Sequence, residues 1–242
     1  MESQRQRHEN FLARRNRAEQ PENVETLLLV CDACDSAIET GVLSETALRT
    51  FMDGACCSAL LVWQNSVDLL RLLESKGFDL GRAFLEMSNS ASASSRFAAL
   101  CCLSRKTQRT VVDEILIKSI ADKSSKVRCK AASAAMTFRK RWLVNAIAAT
   151  LAAEKNQKAR LSLDFSLALL RDGYILKQHS ATHLSVTVPT AGNAITSRLV
   201  SVADLNAKGI DALIVQIQSD PTSRLHSDRS PLAAIEETRI AD

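Results

Sequence analysis

The sequence predicts an all-α chain, an α-solenoid of helix pairs repeating every 32 residues with a small C-terminal β-hairpin appended. Three observations lead there. Seven Gly and four Pro in 242 residues are too few for the many turns of a sandwich or barrel, while 46% apolar residues suffice for a sizeable core. Apolar residues recur at helical spacing through most of residues 22–178. And the middle of the chain repeats: residues 92–123, residues 124–155 and the stretch from Asn156 align with Arg96, Arg128 and Arg160 at one position. Helix pairs at a fixed period of 30–50 residues are the sequence signature of stacked units that bury their apolar faces only against neighbours.

Each unit reads as two helices around a polar turn. The second helix of one unit carries Val111, Ile115, Leu116, Ser119 and Ile120 on one face, and that of the next carries Leu143, Ile147 and Leu151. The turns fall at residues 104–109 and 137–141. One period earlier, Val67, Leu70 and Leu73 predict a first helix, and Ala83, Phe84 and Met87 a second one after Gly77 and Gly81.

Residues 1–21 are strongly polar and read as a flexible arm in which Phe11 and Leu12 could dock. Residues 22–178 form the helical repeat domain. Within it, helices at 22–39 and 44–63, the second capped by Ser44, make an N-terminal cap over 22–63, and the repeats occupy 64–178. Residues 179–219 change character. Residues 183–188 (HLSVTV) alternate, Pro-Thr-Ala-Gly-Asn supplies a turn, and residues 195–202 alternate again, which predicts a hairpin packed on the last repeat. Asp204 could cap a last helix with Ile210, Leu213, Ile214 and Ile217 on one face; a third strand at residues 212–217 is the alternative. Residues 220–242 are polar and read as a mobile tail.

The stretch from Asp122 to Met136, DKSSKVRCKAASAAM, resembles a HEAT repeat: Asp122 precedes the first helix, Val127-Arg128 stands at its start, and Ala131 and Ala132 pack inside it. The likeness extends over residues 60–177 and implies an armadillo-like helical scaffold. It also implies that Arg96, Arg128 and Arg160 join a structural polar ladder. One subfamily with such repeats, the alkylpurine DNA glycosylases, grips DNA on a basic concave surface with an Asp and aromatic residues. Here Trp63, Trp142 and Tyr174 have no such Asp among them on the second helices, so the likeness to that enzyme stops at the fold.

Charge is unevenly spread. Residues 21–91 hold 4 basic and 11 acidic groups, whereas residues 92–177 hold 17 and 6, under a net charge of only +4. The repeat collects its cations at the turns. Arg105, Lys106 and Arg109, then Arg139, Lys140 and Arg141, then Arg171 mark the turns within units; Lys123, Lys126, Lys155 and Lys158 mark those between units. Because paired helices run antiparallel, these become two basic ridges on opposite edges, and the second helices keep little charge beyond Lys118. The expected function is a non-enzymatic scaffold or adaptor that binds an acidic protein partner through these edges. Binding of a nucleic-acid backbone is the alternative, since phosphate contacts need only Lys and Arg. A solvated face that merely holds the chain in solution is the bland reading.

Chemistry is not marked. Phosphate-loop, dinucleotide, nucleophile-elbow and zinc-protease motifs are absent. The Cys31-x-x-Cys34 pair falls mid-helix without a knuckle, and Cys56, Cys57, Cys101, Cys102 and Cys129 lie in apolar helical stretches, so the seven thiols read as reduced core residues rather than zinc ligands. His179 and His183, four apart, sit where helix gives way to strand and read as solvent-facing. No metal or cofactor is expected. With no long apolar run and no secretory leader, a cytoplasmic location away from membranes follows as the expectation.

Overall fold

A computed structural model describes residues 2–13, 20–190 and 195–219. The described chain is mostly helical, with a small three-stranded antiparallel sheet near its C-terminal end, and it divides into two compact units between Leu167 and Ala168. The tail expected over 220–242 and the tip of the hairpin turn at 191–194 lie outside the described residues.

The first unit opens with helix α1 (Gln4–Ala13), inside the stretch read as an arm. None of its residues is buried; polar groups hold it. Asp35 accepts the backbone N–H groups of Gln4 at 2.8 Å and Arg5 at 3.1 Å, a carboxylate from another helix serving as N-cap. Arg5 pairs with Asp32 at 2.5 Å, and His8 Nε2 meets Asn65 Oδ1 at 2.6 Å.

Helix α2 (Pro21–Thr40) starts with Pro at its first turn and stops at Gly41, whose φ of +69° lets its N–H return to the Ala37 carbonyl. Helix α3 (Glu45–Cys56) is capped by Ser44, as its sequence predicts, with Oγ accepting the Ala47 N–H at 3.1 Å. The single helix expected over 44–63 is broken. Cys57 is extended and α4 (Leu60–Ser75) begins afresh, so the chain folds back and both pieces bury an apolar face: Phe51, Met52 and Ala55 from α3, Val62, Val67 and Leu70 from α4.

Helices α5 (Gly81–Ser88), α6 (Ala93–Cys102), α7 (Arg109–Ile120), α8 (Ser125–Thr137) and α9 (Val144–Ala153) follow, with a single 3-10 turn, Arg141–Leu143, before α9. Packing runs in two rows. Helix α6 packs on α4 and α8 on α6; α7 packs on α5 and α9 on α7; α5 joins α6 and α7 joins α8 across the rows. Phe51, Leu70, Leu73, Phe84, Leu100, Ile115, Leu116 and Ile147 are completely or almost completely buried between them. Helix α10 (Gln157–Asp172) begins in this unit and ends in the second.

In the second unit, β1 (Ile175–Gln178), β2 (His183–Pro189) and β3 (Ile195–Ser201) form an antiparallel meander in the order β1-β2-β3. The expected hairpin is β2–β3. The sequence places Ile175–Gln178 at the end of the last repeat; instead α10 stops at Gly173, at a φ of +83°, and this short segment pairs with β2 as β1. Helices α11 (Val202–Lys208) and α12 (Ile210–Ser219) complete it. Residues 212–217 are therefore helix, because Ile210, Ile214 and Ile217 reach Val186, Val188, Val200 and Tyr174 as one apolar cluster. No described helix is long and apolar enough to cross a membrane.

Candidate functional site: two basic edges

Helices α6, α8 and α10 each carry an Arg near their start, and three turns repeat the same contacts around them. Ser90, Asp122 and Glu154, spaced by 32, each accept the backbone N–H two residues on, at 3.1, 2.7 and 3.0 Å. Each also offers its carbonyl to the Arg six residues on: Arg96 at 2.9 Å, Arg128 at 2.6 Å and Arg160 at 3.0 Å. Arg96 then grips Asp122 with Nε at 2.6 Å and Nη2 at 2.9 Å, while Arg128 grips Glu154 through Nε at 3.0 Å and through Nη2. Asp122 is held below the ordinary carboxylate range by Arg96 first and the Ser124 N–H besides; Glu154 is held low by the Asn156 N–H first and then by Arg128. The ladder residues are structural, as expected for Arg96 and Arg128. That Glu154 repeats the part of Asp122 was not legible, because the sequence varies the acid while keeping its position.

One basic edge gathers around the C-terminal ends of α6 and α8. Arg105 and Lys106 stand exposed in the α6–α7 loop and Arg109 opens α7. Arg109 Nε lies 3.7 Å from Asp113 Oδ2, and Asp113 Oδ1 lies 2.7 Å from Lys140 Nζ, so one carboxylate ties this loop to the α8–α9 connection. There Arg139 and Arg141 are exposed, and between them and α9 the Trp142 side chain is 50% exposed. Lys140 departs from the expectation: only 9% exposed and paired with Asp113, it is part of the scaffold and unavailable to a partner. Arg139 adopts a φ of +53° as the residue after the α8 C-cap. The Lys140 N–H returns to the Ala135 carbonyl and the Arg139 N–H to Met136, a left-handed helix ending usually given to Gly.

The other edge runs past the N-terminal ends of α8 and α10, about 20 Å away at 1.5 Å per helical residue. Lys123, Lys155 and Lys158 are exposed there. Lys126 lies with Nζ 4.3 Å above the Phe97 ring, a cation–π contact that commits part of its charge inward. The Arg128–Glu154 pair bridges the α7–α8 and α9–α10 turns and keeps them adjacent. Arg171 belongs to the second unit, where Asp172 accepts from its Nε at 2.8 Å and Nη2 at 2.7 Å. Helix α7 contributes little beyond Arg109, since Lys118 is taken by Glu114 at 2.8 Å and Asn89 at 3.2 Å.

All seven thiols are free. Desolvation first, with nearby Asp35 adding to it, pushes Cys31 and Cys34 up to about 12, so both stay protonated and unreactive at neutral pH. His179 and His183 face each other across the β1–β2 turn, where the His179 N–H donates to the His183 carbonyl at 3.0 Å. Among the described residues no three His, Cys, Asp or Glu side chains come together as a metal site.

The chain matches no protein-family model, no curated protein and no solved structure. Geometry alone bears on function. The feature that sequence reasoning passed over is Trp142 as an exposed aromatic on the basic edge; its signal was the run Arg139-Lys-Arg-Trp142 at a turn.

Proposed function

We propose that this chain is a non-enzymatic interaction scaffold, an α-solenoid of HEAT-like helix pairs that binds an acidic protein partner through the edge around Trp142. The single observation that carries the reading is an exposed indole beside Arg139 and Arg141, on a turn tied through Asp113 to Arg109. Exposed cations contribute little to stability by themselves, and an exposed Trp costs hydration, so neither is explained by folding. Trp and Arg are the side chains that dominate protein interfaces, the ring filling a partner pocket while the guanidinium pairs with carboxylates. The other edge, with Lys123, Lys155 and Lys158, extends the same electrostatic field and steers the partner in. Seven free thiols support a reducing, cytoplasmic setting.

The test is capture of partners from native extract, with and without nuclease, by the full chain and by a Trp142→Ala/Arg141→Glu variant. The reading expects a protein recovered regardless of nuclease, lost with the variant and released by modest salt. Recovery that depends on intact nucleic acid would replace the protein partner with a phosphate backbone. Capture unchanged by the variant would leave the edge a solvated face.

A further inference from the structure

The ladder has a third Arg and, among the described residues, no third acid. Arg160 is clamped as its counterparts are, with Nη1 donating to the Glu154 carbonyl at 3.0 Å and, more weakly, to the Leu151 carbonyl at 3.4 Å. Its Nε and Nη2, the atoms with which Arg96 and Arg128 grip a carboxylate 26 residues on, meet no carboxylate among the described residues. The residue 26 positions on is Val186, buried in strand β2. One position along, a second pattern breaks at the same place. Phe97 lies under Lys126 of the next helix in its row, and Cys129 Sγ reaches the Ala159 carbonyl of the next, at 3.7 Å; Leu161, again 32 on, is 53% exposed. Arg160 and Leu161 flank an open groove of about 310 Å³ completed by Leu151, Gln157 and Asp164.

We propose that this groove is a second docking site, which takes an Asp or Glu of a protein partner standing just ahead of a helix, the carboxylate on the Arg160 fork and the helix on Leu161. The two filled rungs define that ligand. Both acid types are accepted, each accepts the N–H two residues on, and each leads into a helix that packs on the row. A planar guanidinium with one nitrogen already fixed by carbonyls presents the remaining pair in the bidentate geometry that carboxylates match. Asp164 tempers the site's charge from one helical turn away. It disfavours a ligand with several clustered acids and leaves a single carboxylate backed by apolar contact as the fitting one. This site is separate from the Trp142 edge and stands or falls without it.

The probe is a synthetic peptide of residues 121–137, which carries Asp122 three residues before the start of helix α8, titrated into the full chain while the Arg Nε–H signals are followed by NMR. Saturable binding is expected to shift Arg160 and leave Arg96 and Arg128, whose forks are filled, in place. An Asp122→Asn peptide, or an Arg160→Gln protein with unchanged circular dichroism, is expected to bind about tenfold more weakly or worse, the loss of one charge-assisted pair. Trp142→Ala should bind the peptide like wild type. Absence of saturable binding, or equal affinity for the Asn peptide, overturns the proposal. So does concentration-dependent self-association of the wild-type chain that Arg160→Gln abolishes, because the occupant is then a second copy.

Discussion

The two ends of the helical unit are held in different ways. From α2 to α5 the helices meet through large side chains: Leu27, Phe51, Leu70, Leu73, Phe84 and Met87 are buried, and α3 comes so close to α4 at Gly54 that an added Cβ would clash with Ser66 Oγ. In α6 and α8 the buried faces are mostly small. Helix α8 packs with Val127, Ala131, Ala132, Ala134 and Ala135, and alignment along the row passes to the Arg96–Asp122 and Arg128–Glu154 pairs. The difference teaches that small-residue faces bring helices close without specifying their slide, and that arginine–carboxylate pairs at the turns supply what apolar shape does not.

The largest effect should come from the large-residue end. Phe51→Ala empties a site with no exposure and should cost roughly 3–5 kcal/mol, as buried Phe truncations do, read as a lower midpoint in urea. An equivalent loss from Ala131→Gly would break the contrast, since α8 has little side chain to lose.

The next effect belongs to the rungs. The Arg96 and Asp122 side chains are only 10% and 8% exposed, so Asp122→Asn should cost roughly 3 kcal/mol by stranding a buried guanidinium, while Arg96→Met with Asp122→Leu should cost less than the two single changes together. The pair also predicts a pH dependence. Both acids titrate lower folded than unfolded, so their contribution is present above the unfolded values, ordinarily 3.8 for Asp122 and 4.5 for Glu154, and is lost as pH falls through the depressed folded ones. Acid denaturation below about pH 4 should therefore be less steep in the Met/Leu variant, measured by circular dichroism across pH 2–6.

Gly54→Ala sharpens the other side of the contrast. With the new Cβ driven into Ser66 Oγ and 3.2 Å from Val30 Cγ2, it should cost about 1–3 kcal/mol, the range of overpacked cores. Ser66→Ala added to it should recover part of the loss, because the buried Ser66 hydroxyl has no hydrogen-bond partner to forfeit. The smallest effect, and the one favourable change, is Arg139→Gly. It relieves a left-handed residue after α8 and should raise stability by up to about 1 kcal/mol in thermal melts. Arg139→Val should lower it.

Much of the helical unit was legible because its signals are local. Apolar spacing places α5 to α9, Ser44 caps α3 through its own hydroxyl, and the 32-residue offset of Arg96, Arg128 and Arg160 is visible without a structure. Alternation likewise marked β2 and β3. What escaped was set by encounters between distant segments. Apolar residues recur along the whole 44–63 run, and only the need of α3 and α4 to bury two faces against α2 breaks it at Cys57. Four residues of β1 carry too short a pattern to compete with the helix before them until β2 offers a pairing edge. Residues 212–217 suit a helix or a strand, and contact with Val186 and Val188 decides for the helix.

The candidate edges divide the same way. Sequence by itself determined that cations gather at the turns, since charge and spacing are properties of the chain. Only the tertiary structure decided which of them face outward. In the run Arg139-Lys140-Arg141 the three side chains carry one charge each and look alike, yet Asp113, a turn into α7, draws Lys140 inward and leaves its neighbours exposed beside Trp142. The three ladder arginines look alike too, and a carboxylate 26 residues further on reaches two of them but not Arg160. Pairing and burial are relations between segments that meet only once the chain has folded, so their energies are carried by no single stretch of sequence.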